Sequence, residues 1–275
     1  MDLTIVIVSF KSGEVLDRCI KSIDNKYQII VVENSLDHKL KIKLEKSYLN
    51  VKCIIPEKNL GYGAGNNLGI NLAKTNHVLI LNPDTILLDN TIEKLREAAD
   101  KIKDFAILGP KIYGETEKET QNYVSVQYIK GFAILFNKEK FIEIGYFDEN
   151  YFLYFEEIDL CRKIIKSGSK IYAINNALIK HEGGKSHERK YDFEMELSRN
   201  WHWMWSTFYF NKKHYGYLKA LIKVGKKLFS SIFKIIYFTF LLNSKKRKIY
   251  FQRLSGLLNS MIGKKSWYRP KIINN

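Results

Sequence analysis

Four short apolar runs near the start of the chain constrain its fold more than any other feature of the sequence. They span residues 3–8, 28–32, 51–55 and 77–81 and are rich in isoleucine, valine and leucine. Uninterrupted apolar runs of this length are typical of strands that are buried on both faces of a sheet. Stretches with helical spacing separate them, so the sequence predicts an α/β domain with a mostly parallel sheet.

The same kind of pattern predicts further helices and strands. Ser12 is placed to cap a helix whose apolar face comprises Leu16, Cys19, Ile20 and Ile23. The apolar face of a later helix comprises Ile92, Leu95, Ala99 and Ile102. Residues 106–109, 131–136 and 170–174 are strand candidates, and the polar segment 114–122 is predicted to be a loop or a hairpin.

Polar residues follow three of the predicted strands at their carboxyl ends. They are Ser9, Glu33, Asn34, Asn82 and Asp84, and the aromatic Phe10 directly follows Ser9. In parallel sheets, ligands bind beside this edge. One carboxylate together with a diphosphate supplies the oxygen ligands that a hard divalent cation prefers, so Asp84 is a candidate metal ligand. The alternative is that residues 82–84 form an ordinary turn.

A segment rich in glycine and asparagine, residues 59–69, leads from the third strand into a helix. Its glycines superficially resemble a dinucleotide-binding motif, but their spacing and their position after the third strand do not fit that motif. Glycines here would still allow the backbone to approach a phosphate or a sugar closely. The alternative is a tight turn between a strand and a helix.

An aromatic segment, residues 151–155, leads directly into three acids, Glu156, Glu157 and Asp159. The apolar residues that follow have helical spacing and Gly168 can end the helix, so the acids would lie in its first turn. The helix dipole favours ionised carboxylates at that position, which makes the cluster a candidate general base. The alternative is an ordinary acidic helix start beside a core strand.

His181 and three cysteines are the remaining candidates for metal or redox chemistry. His181 lies close to two glycines and a second histidine, and it is either a ligand or a structural residue. The cysteines are far apart and lack metal-ligand spacing, which indicates buried thiols in a reducing compartment. The N-terminal residues are predicted to form the first strand and not a secretory signal peptide.

The charge of the chain is distributed unevenly. The formal net charge is +16, and residues 211–275 contain sixteen lysines and arginines and no aspartate or glutamate. The apolar run 228–242 contains Lys234 and is short for a bilayer span, which needs about 20 apolar residues. This combination predicts a basic, amphipathic helical tail that lies on an anionic membrane surface. The alternative is a helical pair that packs on the preceding domain. No nucleic-acid-binding motif accompanies the charge, so no nucleic-acid partner is expected.

Seven segments, taken in order and with their spacings, match one pattern. They are residues 4–10, 31–34, 59–67, 82–84, 145–149 and 155–160, and His181 with the glycines that follow it. Together they resemble the family 2 inverting glycosyltransferases of the GT-A fold, in particular the bacterial rhamnosyltransferase-like branch. The resemblance covers about residues 3–200. It implies a Rossmann-like, mostly parallel sheet with helices on both faces, in a glycosyltransferase domain of residues 1–210 followed by a membrane-association region of residues 211–275.

The resemblance also implies a role for each candidate residue. Ser9, Phe10, Glu33 and Asn34 would line the pocket for the nucleotide base and ribose. The ribose or diphosphate would lie against Asn59, Gly61, Gly65 and Asn66. Asp84, with Asn82 before it, would bind the donor diphosphate through Mg²⁺ or Mn²⁺, and His181 would complete the metal site. Glu157 stands at the position of the catalytic base, with Glu156 beside it. The sequence departs from the family pattern twice, because Asn82 replaces an acid and Glu157 replaces the usual aspartate.

The resemblance therefore implies a metal-dependent, inverting hexosyltransferase in bacterial cell-wall or cell-surface polysaccharide synthesis. Its donor would be a dTDP- or UDP-sugar, with L-rhamnose from dTDP-rhamnose favoured, and its acceptor a polyprenyl-diphosphate-linked glycan. The enzyme would bind peripherally at the cytoplasmic face of the inner membrane. The alternative is a non-catalytic module that binds membrane or nucleic acid and retains a fold for sugar nucleotides.

Overall fold

The computed structural model describes residues 3–114, 121–181, 183 and 187–272. This part of the chain contains nine strands, which we label β1 to β9. In chain order they are Leu3–Ser9, Gln28–Glu33, Val51–Ile54, His77–Leu81, Thr85–Leu87, Phe105–Ile112, Tyr123–Ser125, Ala133–Asn137 and Lys170–His181. All belong to a single sheet with the order β3-β2-β1-β4-β8-β6-β9-β5, and β7 pairs with β9.

The same residues form nine α-helices, which we label α1 to α9. In chain order they are Gly13–Lys21, His38–Ser47, Tyr62–Leu72, Thr91–Lys101, Lys138–Ile144, Glu156–Lys166, Asp192–Tyr215, Tyr217–Phe240 and Ser244–Met261. The first three alternate with β1 to β4, as the sequence predicts for an α/β domain, and the next three lie among the remaining strands.

Strand β1 lies at the centre of a parallel block. It pairs in parallel with β2 on one side and with β4 on the other, and β3 extends the block beyond β2. The helices that connect parallel strands cover both faces, and Ile5, Val6 and Ile7 of β1 are fully buried. This burial explains why the strand is apolar apart from Thr4 and Ser9. Beyond β4 the sheet becomes mixed, because β8 pairs antiparallel with both β4 and β6.

Each face of the sheet has its own core. On one face, α1 and α4 contribute residues such as Leu16 and Leu95, and on the other, α3 and α6 contribute residues such as Ile70 and Leu160. The layered arrangement confirms the predicted α/β fold with a parallel block and helices on both faces. It also confirms that helices follow this fold in the C-terminal part.

Helix α3 lies unusually close to the sheet because glycines face the strands. A Cβ atom built on Gly69 would lie 2.3 Å from Cγ1 of Val6, and one built on Gly65 would lie 3.0 Å from Cγ1 of Val8. Both glycines lie within the helix, which begins at Tyr62, and not in the turn that precedes it. The glycines thus provide the space for close packing of α3 on β1.

The contacts divide the chain into two compact units. The first comprises Met1–Asp148 and Glu157–Glu188, and the second comprises Glu149–Glu156 and Arg189–Asn275. This division differs from the predicted boundary after residue 210, which falls inside α7. The reason is that the apolar residues of α7 pack with the two helices that follow it, and that the hydroxyl of Ser206 in α7 donates a hydrogen bond of 2.9 Å to the carbonyl of Leu153 in the segment 149–156.

The second unit has a core made by its own helices. Met204 and Phe208 of α7, Val224 of α8 and Leu257 of α9 form one buried cluster. Helix α9 approaches α7 closely at Gly256, where an added Cβ atom would lie 2.1 Å from the carbonyl oxygen of Trp201. A helical pair of this kind requires a small residue at the point of closest approach.

Three sequence predictions about local structure need comment. Ser12 occupies the N-cap position of α1 but forms no cap hydrogen bond, and its hydroxyl instead exchanges hydrogen bonds with the backbone of Phe10. The predicted strand 170–174 continues to His181 as β9, because it pairs successively with β6, β7 and β5. Most of the predicted loop 114–122 lies outside the described residues.

Candidate active site

Ser9 and Glu33 end the paired strands β1 and β2, and the structure brings their side chains together. The buried Glu33 carboxylate accepts hydrogen bonds from the hydroxyl groups of Ser9 and Ser35, and from the backbone amide of Ser35 at 2.8 Å. Burial raises the pKa of Glu33 and these hydrogen bonds oppose the rise. Through these hydrogen bonds the Glu33 carboxylate links the ends of β1 and β2.

Asn34 and Asn59 hold the loop that leads into α3. The Asn34 amide group donates to the carbonyl of Gly61 at 2.9 Å, and its backbone amide donates to the carbonyl of Ser9 at 2.8 Å. Asn59 accepts from the backbone amide of Gly61 at 3.0 Å. Gly61 has a φ of +84°, a conformation that favours glycine. The structure therefore brings these residues together with the strand ends, while Phe10 lies half-buried in the loop after β1.

Asn66 lies in the first half of α3 and is fully buried. Its amide group donates to the carbonyl of Tyr62 at 3.0 Å, within the same helix. Its Oδ1 atom is shielded from solvent and has no hydrogen-bond partner among the residues that the structure describes. The neighbouring Gly65 packs on Val8 and lies 3.3 Å, measured from an added Cβ atom, from the amide nitrogen of Asn34.

A cavity of about 240 Å³ opens beside the ends of β1 and β2. Its lining includes Ser12, Gly13, Ser35 and Asp37, and also three lysines, Lys11, Lys39 and Lys43. Two carboxylates, Asp37 and Glu188, line the same cavity, so the three lysines leave one excess positive charge, which favours an anionic ligand. The lysines were not singled out from the sequence, since lysine is common throughout this chain and only the fold brings these three together.

Asp84 and His181 face each other at the other side of the parallel block. Nε2 of His181 lies 3.4 Å from Oδ1 of Asp84, and Asp84 is only 2% exposed. The pairing of Thr85 with His181 between β5 and β9 fixes this approach. The ring of Phe132 stacks on the His181 ring with 4.6 Å between their centroids. The two predicted metal ligands are thus adjacent although they are far apart in sequence.

The buried oxygen atoms of this group fit a divalent cation. Oδ1 of Asp84 and Oδ1 of Asn82 are both shielded from solvent without a hydrogen-bond partner in the described part of the chain. Buried acceptors normally accept a hydrogen bond, so two that accept none on either side of one proline, one of them with only the His181 ring 3.4 Å away, need an explanation. A carboxylate, an amide oxygen and an imidazole are suitable ligands for Mg²⁺ or Mn²⁺. Within residues 3–114, 121–181, 183 and 187–272, no group of three or more His, Cys, Asp and Glu side chains is placed to hold a metal, so a cation bound beside Asp84 and His181 would need the amide oxygen of Asn82 as a further ligand.

Glu157 lies in the first turn of α6, as the sequence predicts. Its Oε1 atom lies 3.3 Å from the hydroxyl of Tyr128, which donates to it. Gly131 leaves room for the side chain, because a Cβ atom there would lie 3.4 Å from Cγ of Glu157. Burial raises the pKa of Glu157, and the hydrogen bond from Tyr128 opposes the rise. A carboxylate with a raised pKa is a stronger base than one in open solvent.

The dipeptide formed by Gly131 and Phe132 connects the base candidate with the metal-ligand candidates. Gly131 lies against Glu157, and Phe132 stacks on His181. The carbonyl of Phe132 also accepts a hydrogen bond of 2.8 Å from the backbone amide of Asn82. This dipeptide was predicted only as part of a strand. Tyr128 belongs to no motif or periodic pattern, and the apolar run 131–136 identified Phe132 only as a strand residue.

Glu156 differs from Glu157 in its surroundings. It is 4% exposed and belongs to the second compact unit, whereas Glu157 belongs to the first. The two residues before them, Tyr154 and Phe155, have φ values of +72° and +73°, which are unfavourable for residues with a side chain. Conformations of this kind cost about 1–3 kcal/mol each and concentrate at functional sites. Trp203 packs against both rings, with centroid distances of 5.3 Å.

Comparison with known proteins identifies the family. The sequence pattern of Glycosyl transferase family 2 matches residues 4–161, which is more than half of the chain. The chain belongs to this family. It is a glycosyltransferase, and the matched region contains every candidate residue described above except His181.

Three relatives of this glycosyltransferase have names that specify a transferred sugar or a pathway. A low-salt glycan biosynthesis hexosyltransferase, Agl10, from Haloferax volcanii is 29% identical over 58% of this chain and 60% of its own length. An N-acetylglucosaminyl-diphospho-decaprenol L-rhamnosyltransferase from Mycobacterium tuberculosis is 22% identical over 80% of this chain and 88% of its own. The rhamnosyltransferase WbbL from Escherichia coli is 23% identical over 62% of this chain and 79% of its own length. The match therefore spans less than two thirds of the haloarchaeal relative.

Solved structures agree on the fold of the glycosyltransferase. GalNAc-T7, solved with UDP, GalNAc and Mn²⁺, is similar with a TM-score of 0.58 and 17% identity, over 66% of this chain and 43% of that protein. Residues 1–349 of Staphylococcus aureus TarS give a TM-score of 0.53 and 14% identity, over 100% of this chain and 95% of that chain. At these identities the similarity shows a common GT-A-like fold.

Proposed function

We propose that this glycosyltransferase moves an L-rhamnosyl residue from dTDP-rhamnose to a polyprenyl-diphosphate-linked glycan, with inversion at the anomeric carbon. Two of the relatives are named as rhamnosyltransferases, and one of these names includes a diphospho-decaprenol. The observation that carries the catalytic part is the pair of buried, unpaired oxygen atoms on Asn82 and Asp84 beside His181. The lysine-lined cavity at the ends of β1 and β2 suits an anionic nucleotide donor.

Asn82, Asp84 and His181 would hold Mg²⁺ or Mn²⁺. The Mn²⁺ and UDP in the structure of GalNAc-T7 support this part of the proposal. When bound, the cation neutralises charge that develops on the diphosphate as it leaves. The protein's own contribution is to keep three ligand atoms fixed before the donor arrives, through the β5–β9 pairing and the stacking of Phe132 on His181.

Glu157 would act as the general base. Its carboxylate takes the proton of the acceptor hydroxyl as that oxygen forms a bond to the anomeric carbon, and the bond from this carbon to the diphosphate oxygen breaks. Attack from the face opposite the leaving group inverts the configuration. The position in the first turn of α6 favours the ionised form, and burial strengthens it as a base.

Replacement of Asp84 by alanine tests the metal site directly. We expect Asp84→Ala to lose Mn²⁺-dependent binding of dTDP, measured by calorimetry with and without Mn²⁺, because a neutral side chain cannot replace the carboxylate ligand. Asp89→Ala is the matched control, since Asp89 is an exposed carboxylate shortly after Asp84. Unchanged Mn²⁺-dependent affinity in Asp84→Ala would contradict the assignment.

We further propose that α8 places the enzyme peripherally on the cytoplasmic face of the bacterial inner membrane. Its exposed apolar residues recur at helical spacing and form one stripe, which comprises Leu218, Ile222, Phe229, Phe233, Ile236 and Phe240. The opposite face of α8 is buried at Ala220, Val224 and Ser231. A helix with an exposed apolar stripe in a segment without acids suits the interface of an anionic bilayer. Among the described residues, none of the helices has the length and apolar character needed to cross a membrane.

A further inference from the structure

Three cations line a seam between α8 and α9, which we call the cationic seam: Lys227, Lys234 and Arg253. Nζ of Lys227 lies 5.7 Å from the ring centre of Trp203. Nζ of Lys234 lies 4.8 Å from the ring centre of Tyr250 and 3.0 Å from its hydroxyl oxygen. The guanidinium carbon of Arg253 lies 5.7 Å from the centre of the same ring. Aromatic rings therefore hold all three cations in place.

Among the residues that the structure describes, no carboxylate pairs with these charges. None of the three forms an ion pair in the portion of the chain that the structure describes. Arg253 donates to Oδ1 of Asn200 at 3.3 Å, but its Nε atom is shielded from solvent and has no acceptor among the described residues. A guanidinium whose other protein acceptors are the neutral Asn200 and Met204, and whose Nε has none, is suited to an anion from outside the chain.

In the folded protein, the positively charged side chains of Lys227 and Arg253 lie close to each other. Burial lowers the pKa of Lys227, and the positive charge of Arg253 lowers it further. Such an arrangement disfavours the folded state unless an anion binds, and perturbed groups of this kind concentrate at functional sites.

We propose that the cationic seam binds the phosphate groups of a lipid. A guanidinium fork and two ammonium groups match the oxygen atoms of a phosphate ester. Trp203, which lies against Lys227, also contacts Tyr154 and Phe155. These two residues directly precede Glu156 and Glu157 in the chain, so a lipid-linked diphosphate on this seam suits an acceptor. The choice of a lipid-linked diphosphate acceptor as the ligand rests on the proposed function, whereas the binding of phosphate by the seam does not.

The test measures binding of farnesyl diphosphate to the full chain by calorimetry, without divalent cations, so that the Asp84 site does not contribute. We expect Lys227→Gln/Arg253→Gln to bind farnesyl diphosphate at least about tenfold more weakly, because the two substitutions remove charge-assisted hydrogen bonds to the diphosphate. The matched control is Lys226→Gln/Arg247→Gln, which removes one exposed cation from each of the same helices. The seam variant should melt no lower than the wild type, since it relieves repulsion. Lys227→Gln alone repeats the test if the double variant is unstable.

Vesicles of phosphatidylcholine, with and without phosphatidylglycerol, separate the two possible sources of phosphate. Loss of farnesyl diphosphate binding with vesicle binding equal to that of the control identifies the acceptor diphosphate. An additional loss of phosphatidylglycerol-dependent binding identifies a bilayer headgroup, and either result supports the seam. Equal binding of both ligands by the seam variant and the control would overturn it. Glu157→Gln, which we expect to lose transfer, should bind farnesyl diphosphate like the wild type, so a failure of the proposed function can be recognised separately.

Discussion

At the scale of single residues, Glu157 combines two opposing influences on its carboxyl group. Its place in the first turn of α6 favours the charged form, whereas burial disfavours it and raises its pKa. Because a general base must be ionised before it accepts a proton, the transfer rate should rise with pH through the raised pKa of this group. The rise would therefore occur above the pH at which an ordinary glutamate ionises.

Replacement of Glu157 by glutamine tests this role. We expect Glu157→Gln to lower kcat for glycosyl transfer by a factor of about 10²–10⁴, because the amide cannot take the acceptor proton. The affinity for the nucleotide should change little, since the side chain has no part in donor binding in this proposal. Transfer measured with a radiolabelled donor, together with calorimetry of dTDP, separates the two effects.

Glu156→Gln is the informative comparison because it makes the same chemical change one residue away. We expect Glu156→Gln to retain most of the transfer rate if it folds as the wild type does. Loss of transfer in Glu156→Gln with normal transfer in Glu157→Gln would reverse the assignment of the base.

Glu33 predicts a dependence of stability on pH. Its pKa in the folded protein is raised by burial, so the folded state retains a proton that the unfolded state releases near pH 4–5. The free energy of unfolding therefore falls as pH rises from this value to the raised pKa, by at most about 1.4 kcal/mol per pH unit for this group. We expect Glu33→Gln to remove this part of the decline in urea unfolding measured across pH.

The control for this prediction is Glu57→Gln, which removes an exposed carboxyl group. It should leave the slope of unfolding free energy against pH as in the wild type. A slope that is the same in Glu33→Gln and in the wild type would contradict the role of burial at Glu33.

The sequence was informative about single residues only where they follow strands or open helices. Asp84 and His181 could be proposed as partners through a family resemblance, and the structure places them in contact. Tyr128 could not be predicted, because it lies outside any periodic element and approaches Glu157 only through the tertiary fold. The proposed roles of the candidate residues in binding and catalysis stay predictions until the variants are measured.

At the scale of elements, the parallel strands were predicted well because burial makes most of their residues apolar. The bounds of β1, β2, β3 and β4 differ from the predicted runs by one residue or less. The glycine-rich segment was predicted less well, because three of its glycines lie inside α3, and two of these, Gly65 and Gly69, face strands. Periodicity cannot show that a helix needs space for a strand beside it, since this need depends on the distance between the two elements.

Gly69 should tolerate substitution poorly for this reason. An alanine Cβ would lie 2.3 Å from Cγ1 of Val6, so we expect Gly69→Ala to lower the free energy of unfolding by about 1–3 kcal/mol, as overpacking does. Gly13→Ala in α1 is the matched control, because nothing lies within 4 Å of its added Cβ atom. That variant should be neutral or more stable by up to about 1 kcal/mol. Urea unfolding measures both, and equal stabilities would show that α3 can move away from β1.

At the scale of the whole molecule, charge is separated along the chain. The excess of positive charge lies in residues 211–275, and α8 adds an exposed apolar stripe to it. The charge of this region is read directly from the sequence, and its helical character was predicted from the sequence. It did not predict that α7 belongs with these helices, because α7 carries acids and resembles an ordinary domain helix until its buried face is known.

The apolar stripe of α8 should determine membrane binding. Phe229 is 72% exposed and Phe233 is 67% exposed, and burial of a phenylalanine side chain is worth about 1.5–3 kcal/mol. We expect Phe229→Ser/Phe233→Ser to bind vesicles that contain phosphatidylglycerol at least about tenfold more weakly in flotation assays. Transfer to a water-soluble acceptor analogue should be retained.

The control is Ile42→Ser/Leu49→Ser, which removes two exposed apolar residues from the first unit. This variant should float with vesicles like the wild type. Equal losses in both double variants would show that the stripe has no special role and that exposed apolar residues contribute without regard to position.

The discontinuous makeup of the two units has a consequence for synthesis and truncation. Residues 149–156 belong with the C-terminal helices, although the residues on both sides of them belong with the sheet. During translation, Tyr151 and Phe152 leave the ribosome before their contacts Tyr209 and His202 have been made. The two rings therefore lack these contacts in a nascent chain in which most of the sheet domain has already been synthesised. A fragment that ends at residue 188 would retain this unmatched aromatic segment, so the sheet domain cannot be isolated by a single cut without leaving an aggregation-prone insertion within it.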